Sequence, residues 1–273
     1  MLVLHQAVVR TSTEQEPVSQ QILNNSKYTP YFKDCMGALD GTHIDVHVSG
    51  ESSVPYHNCK GTLTQNVLIV CDFELQFHYI LAGWEGSAHD MRVLRGAASK
   101  LKPPPGKYYL DDAGYTHNEW ILTSFRGVQY HLRETWTANK RYVHSISYSL
   151  THTNYYRPEN ELEMFNLQHS TLCNVVECII GILKHHWKIL QLAPEYSMQV
   201  QVDLVLALTA VHNYIQIQAE IEALKTEIED VKVSQELSTN SIFEENSTSS
   251  IMNRKQQKMS QNMWRDYTTY YRN

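Results

Sequence analysis

MFNLQHSTLCNVVECIIGILKHHWKIL, Met164 to Leu190, is the stretch whose reading decides the fold. Leu172, Val176, Ile179, Leu183, Trp187 and Leu190 recur at steps of three and four, which predicts a long helix with one apolar stripe. A second stripe, Ser170, Asn174, Glu177, Gly181, Lys184 and Lys188, is mostly polar and holds one carboxylate, Glu177, with a glycine one turn on. Taken alone, that stripe is a solvated face with a charge pair at i and i+7. Two carboxylates upstream change its meaning, because they stand at the ends of strand-like apolar runs.

The first is Asp40, within YFKDCMGALDGTHIDVHV (31 to 48). Cys35 to Leu39 is a compact apolar run, and Ile44, Val46 and Val48 alternate with Asp45 and His47 as in a half-buried strand. Asp40-Gly41 suits either a strand residue, where an unpaired carboxylate is costly, or a turn. QNVLIVCDFELQFHYILAGW (65 to 84) holds two β-rich runs about Glu74-Leu75, the pattern of an antiparallel hairpin. The period turns helical at Ser87, where Ser87 and Asp90 fit a capping box. Lys102-Pro-Pro-Pro-Gly106 ends that helix, and KYYL (107 to 110) leads as a short strand into Asp111 and Asp112. If the first and last of these strands are parallel neighbours, Asp40 and Asp112 share one edge of the sheet and Glu177 joins them from the long helix.

Composition sets the bounds. A chain of 273 residues, 42% hydrophobic, builds one sizeable core with appendages. No apolar run reaches 18 residues, and the start MLVLHQAVVRTSTEQE lacks the apolar segment of a signal peptide, so no membrane partner is expected and the cytoplasm is the default location. Five cysteines, with no CxxC, predict free thiols rather than a disulfide frame or zinc site. The net charge is -6, and residues 219 to 246 hold eight acids against Lys225 and Lys232, so the remainder is near neutral. Charge therefore neither supports nor excludes DNA.

Three carboxylates on rigid elements, without a cysteine or histidine cluster, suit a hard divalent cation, Mg²⁺ or Mn²⁺. Two such ions about 4 Å apart activate a water or a 3′-hydroxyl and stabilise the leaving oxygen in phosphodiester cleavage or strand transfer. Lys184, or His89 beside Asp90, could hold the scissile phosphate. A small-molecule metallophosphatase built on His43, Asp45 and His89 has less support, because those residues form no ligand pair on one helix face.

The strings LDGTHI (39 to 44), NVLIVCDF (66 to 73), AGWEGSAHDMRVL (82 to 94), YYLDDAGY (108 to 115) and the 165 to 190 stretch resemble, in collinear order, the nuclease domain of Harbinger-superfamily DDE transposases and their host-derived relatives. The resemblance implies an α/β, RNase H-like mixed sheet flanked by helices, with a helical or disordered C-terminal tail. It implies a metal-dependent DNA endonuclease, a nuclear location and a separate Myb-like DNA-binding partner; a homo-oligomer is kept open beside these. Carried over position by position, it makes Asp40, Asp112 and Glu177 the catalytic, metal-holding acids, and Asp90 a supporting acid or helix cap.

The expected organisation is an N-terminal remnant and linker (1 to 30), the nuclease domain (31 to 217) with an insertion at 142 to 156, an acidic linker (218 to 250) and a C-terminal helix (251 to 273). That last helix is expected to be solvated, and His212 to be a satisfied core histidine. The chain departs from the family at YHNCKG (56 to 61) and LCNVVEC (172 to 178), where Cys59, Cys173 and Cys178 stand at usual arginine positions. Cysteine cannot replace a bidentate phosphate donor, so the rival expectation is a catalytically inactive relative that binds DNA or a partner.

Overall fold

Eleven consecutive residues, Cys35–Asp45, form the first strand, β1, and set Asp40-Gly41 in the middle of a strand rather than in a turn. The structure is a computed structural model and describes residues 2–10, 17–111, 119–128, 158–230 and 250–271. β2 (Thr64–Cys71) and β3 (Phe77–Glu85) are the expected antiparallel hairpin. The chain reverses between them where Asp72 accepts the amide of Gln76 at 2.8 Å and Leu75 takes a φ of 61°. β4 (Tyr108–Asp111) lies parallel to β1, and β5 (Ile121–Thr123) parallel to β4. The order β3-β2-β1-β4-β5 is the expected RNase H-like mixed sheet.

Period-two alternation gives the sheet two apolar faces. On one, Leu39, Leu68, Val70, Tyr109 and Ile121 meet Val93, Leu94, Ala97 and Leu101 of α3 (Asp90–Leu101). On the other, Ala38, Ile44, Val67, Ile69, Tyr108 and Leu110 share a larger core with several helices. These are α1 (Leu2–Val8), α4 (Glu161–His186), α5 (Met198–Asp230) and α6 (Ser250–Tyr271), while the short α2 (Gln20–Leu23) contributes Ile22.

Gly37 admits no side chain. It sits at an irregularity in the β1–β4 pairing with φ of 149°, and a Cβ there would lie 1.9 Å from the carbonyl oxygen of Cys71.

α5 continues beyond position 218 to Asp230, into the segment expected as an acidic linker, and residues 231 to 249 lie outside the described residues, as does the insertion expected at 142 to 156. One expectation changes at the C-terminal end. The C-terminal helix is packed, not solvated. Met252, Met259 and Met263 are buried in the larger core, Gln256 donates to the carbonyl of Thr123 at 2.7 Å, and Lys255 reaches Asp34 at 3.1 Å. Its charged residues dominate the sequence pattern, but three methionines on one stripe decide the packing. Met198–Ala219 of α5 is long and apolar enough to cross a membrane, with mean hydropathy 1.2. It is nonetheless a core helix here: Asn213 bonds both backbone groups of Phe77, and Gln201 both backbone groups of His47.

Candidate active site

The site begins with strand register. Ala38 of β1 pairs with Cys71 of β2 on one side and with Leu110 of β4 on the other, and all three side chains belong to the larger core beneath α4. Alternation then puts Asp40 and Thr42 on the α4 face, and Leu39, Gly41, His43 and Asp45 on the α3 face. Asp40 is half-buried, and its carboxylate accepts the amide of Gly41 at 2.7 Å.

α4 starts at Asn160, whose side chain accepts the amides of Leu162 and Glu163 and so satisfies two of the helix's unpaired donors. The predicted apolar stripe is the buried one: Leu172, Val176, Ile179 and Leu183 all lie in the larger core. Leu190 joins them from the 3-10 turn Lys188–Gln191. The polar stripe runs beside it. Glu177 is exposed, and two turns on Lys184 donates to the hydroxyl of Thr42 and the carbonyl of His43, both at 2.8 Å. Lys184 is thus tied to β1, although sequence reasoning offered it as a phosphate holder. Burial lowers its pKa, and the nearby carboxylates of Asp45 and Asp40 oppose that shift.

The thiols locate the helix along the strand. Burial pushes the Cys178 thiol up to about 11, with the charge of Glu177 adding to the effect. Burial also raises Cys71 well above its ordinary value, with Asp72, Cys178 and Asp40 all contributing. Cys71 therefore lies within the field of both Cys178 on α4 and Asp40 on β1. α4 packs along β1, with Lys184 held at Thr42. Glu177 is on the helix stripe that Lys184 turns toward β1.

The remaining predicted residues fall in two places. Asp112 lies outside the described residues, one position past the end of β4, and its neighbour Asp111 is buried. Among the described residues no group of three His, Cys, Asp or Glu side chains is placed to hold a metal. Asp90 is the first residue of α3, His89 is its exposed N-cap, and no side chain caps the helix, so the expected Ser87–Asp90 box does not form. Ser87 instead directs its amide to the carbonyl of Pro55 at 3.1 Å.

Asp90 is held by Asn66, whose side-chain amide donates to that carboxylate at 2.7 Å and to the carbonyl of Ala88 at 3.0 Å. Asn66 pairs with His43 across β1 and β2, which puts the whole group on the α3 face, across the sheet from Asp40. Burial lowers the pKa of His43, and Asp90 opposes the shift. Sequence reasoning missed Asn66. Its one available signal was an amide at the head of an otherwise apolar strand.

A five-stranded mixed sheet flanked by helices, with carboxylates on β1 and on the helix covering it, is an RNase H-like domain. Residues 39–213 match the model of the DDE superfamily endonuclease family, and the chain belongs to that family as a Harbinger-type, transposase-derived nuclease domain. It is 25% identical over 182 residues to the human protein named "Putative nuclease HARBI1", an alignment covering 65% of this chain and 45% of that one. The rat protein of the same name is 27% identical over 184 residues, with 65% and 45% covered. "Protein ALP1-like" of Arabidopsis thaliana is 22% identical over 176 residues, with 58% and 36% covered. The chain spans less than half the length of these relatives. No solved structure matches it significantly.

Proposed function

We propose that the chain is a divalent-metal-dependent DNA endonuclease domain of transposase descent, with Asp40, Asp112 and Glu177 as its catalytic acids. The observation that carries this reading is the pairing of Ala38 with Leu110. Two residues on from Ala38 stands Asp40, on the face that α4 covers, and two residues on from Leu110 in the sequence comes Asp112, which lies outside the described residues. Glu177 stands on the stripe of α4 that meets β1.

Endonucleases of this superfamily generally use divalent metal ions. The donor set fits: carboxylate oxygens suit Mg²⁺ or Mn²⁺, and burial pushes the neighbouring thiols of Cys71 and Cys178 up, away from the thiolate form that would compete. When bound, such ions activate a water or a 3′-hydroxyl and stabilise the leaving oxygen of a phosphodiester. The protein's part is to hold the three acids on elements fixed by the core. Lys184, tethered to Thr42 and His43, keeps the end of α4 against β1, which positions Glu177. Asp90 and His89 support the fold from the other face. The reading carries with it DNA as substrate, a nuclear site of action and a separate Myb-like DNA-binding partner. It takes residues 31 to 217 as the catalytic unit.

A second reading, an inactive protein that binds DNA or a partner, is favoured by one feature. Cys59 is exposed and Cys173 and Cys178 are half-buried where the resemblance expects arginines. With its pKa near 11, the Cys178 thiol is neutral at pH 7 and offers no cation to a phosphate.

Mn²⁺-dependent nicking of supercoiled plasmid separates the two. Wild type should cut, and Asp40→Asn and Glu177→Gln should each cut about 100-fold more slowly or not at all. Equal cutting by Glu177→Gln removes that residue from the site. A folded wild type that never cuts leaves the binding reading.

A further inference from the structure

The net charge of the chain is -6, yet residues 91 to 107 hold Arg92, Arg95, Lys100, Lys102 and Lys107 and no acid. One sign gathered over so short a run makes a local positive field that the average conceals. Most of the run is α3, whose period sorts its side chains. Val93, Leu94, Ala97 and Leu101 are buried against the sheet, whereas Arg92, Arg95 and Lys100 are exposed on the outer side, and Lys102 follows as the exposed C-cap.

Little on the protein offsets this row. Arg95, Lys100 and Lys102 form no ion pair among the described residues. Arg92 comes no nearer to Glu85 than 3.8 Å, a solvent-open contact that contributes little. Its guanidinium instead lies over Trp84, 5.6 Å from the ring centroid. The indole itself packs against the helix, since a Cβ on Gly96 would lie 2.6 Å from its Cζ2. Asp90, the one acid of α3, is bonded by Asn66.

The spacing selects the partner. From Arg92 to Lys102 the chain rises about 15 Å, a length over which one strand of DNA carries about four phosphates. Four cations thus meet about four negative charges. A lipid surface fits less well, because none of the large apolar side chains of α3 is exposed to enter it.

We propose that the outer side of α3 grips the phosphate backbone of duplex DNA, without regard to sequence, through Arg92, Arg95, Lys100 and Lys102. The choice of DNA over other polyanions rests on the endonuclease reading. The row lies across the sheet from Asp40, so it holds a stretch of duplex other than the one that is cut.

The test is fluorescence anisotropy of a short labelled DNA duplex with the full chain, in EDTA, from about 50 to about 200 mM KCl. Without metal nothing is cut, so binding is read apart from catalysis. For wild type, log Kd should rise with log salt at a slope of about 3 to 4. Arg95→Glu, Lys100→Glu and Lys102→Glu together should weaken binding more than about tenfold and lower the slope by about 3, with circular dichroism kept. The same number of reversals on the exposed residues of α6, Arg254→Glu, Lys258→Glu and Arg265→Glu, should stay within about twofold of wild type. If the α3 reversals do not fold, Arg95→Gln, Lys100→Gln and Lys102→Gln should give the same fall in slope. A wild type that does not bind the duplex overturns the proposal. So does a folded α3 variant with the wild-type slope, an equal loss in the α6 variant, or tighter binding to duplex RNA of the same sequence. A chain that grips DNA but never nicks it removes the catalytic reading and leaves this one standing.

Discussion

The two faces of the sheet are closed differently. On one, the single 12-residue helix α3 seals Leu39, Val70 and Tyr109, and the polar groups there are turned to structure, with Asn66 bridging Asp90 and the carbonyl of Ala88. On the other, the three longer helices α4, α5 and α6 share the larger core, and the polar stripe of α4 is pressed toward β1, where Asp40 stays half-buried and Lys184 bonds the strand. The proposed reading puts the chemistry on the face with surplus burial: carboxylates held near one another would cost stability, and the α4 side has the apolar contacts to offset that cost.

That contrast predicts where the chain breaks hardest. Phe165 of α4 is fully buried between Phe125, at 5.2 Å between ring centroids, and Phe32, at 6.4 Å. Phe165→Ala should cost about 4 kcal/mol in urea unfolding, the range for truncating a core aromatic. A loss below about 1 kcal/mol would show that the α4 face is not the main store of stability.

The same contrast explains what the sequence disclosed. The α4 stripe was legible because its 3.6-residue period comes from the helix itself, so Leu172 to Leu183 report burial without knowing their partner. The hairpin was legible through β-branched runs about a short turn. Asp40 was ambiguous, because only the pairing of Gly41 with Leu68 shows that Asp40-Gly41 is strand and not turn. The capping box failed for a similar reason: Ser87 is drawn to Pro55, a contact no local pattern encodes. Asn66 and the methionines of α6 take their meaning from elements far away in the chain. The pairing of β1 with β4, on which the proposed acid cluster rests, was stated only as a condition.

Asn66 sharpens the comparison from the α3 side. Asn66→Ala leaves the Asp90 carboxylate and the carbonyl of Ala88 without that donor, and should cost about 2 kcal/mol of stability. If the α3 face is structural, Mn²⁺-dependent nicking by the folded variant stays within about twofold of wild type. A selective loss of nicking, with the thermal transition kept, would move Asp90 into the catalytic apparatus and abolish the division between the faces.

The smallest effect is a pH dependence that should differ between the faces. His212 is buried on α5 with its Nε2 donating to the carbonyl of Leu75 at 2.9 Å. Burial lowers its pKa below the ordinary 6.5, His186 adds to the shift, and the bond to Leu75 opposes it. Above pH 6.5 the ring is neutral in both folded and unfolded chains and costs nothing. As pH falls through 6.5 the unfolded chain takes a proton that the native ring resists, so stability declines until the lowered native pKa is reached. Urea midpoints should therefore be lower at pH 5.5 than at pH 7.5. His212→Gln keeps a donor for Leu75 but cannot titrate, and should flatten that dependence. His43, also lowered by burial but exposed on the α3 face and opposed by Asp90, should change it less when replaced by Gln. Equal flattening by the two substitutions would mean that the histidines sense the same depth of burial, against the asymmetry of the two cores.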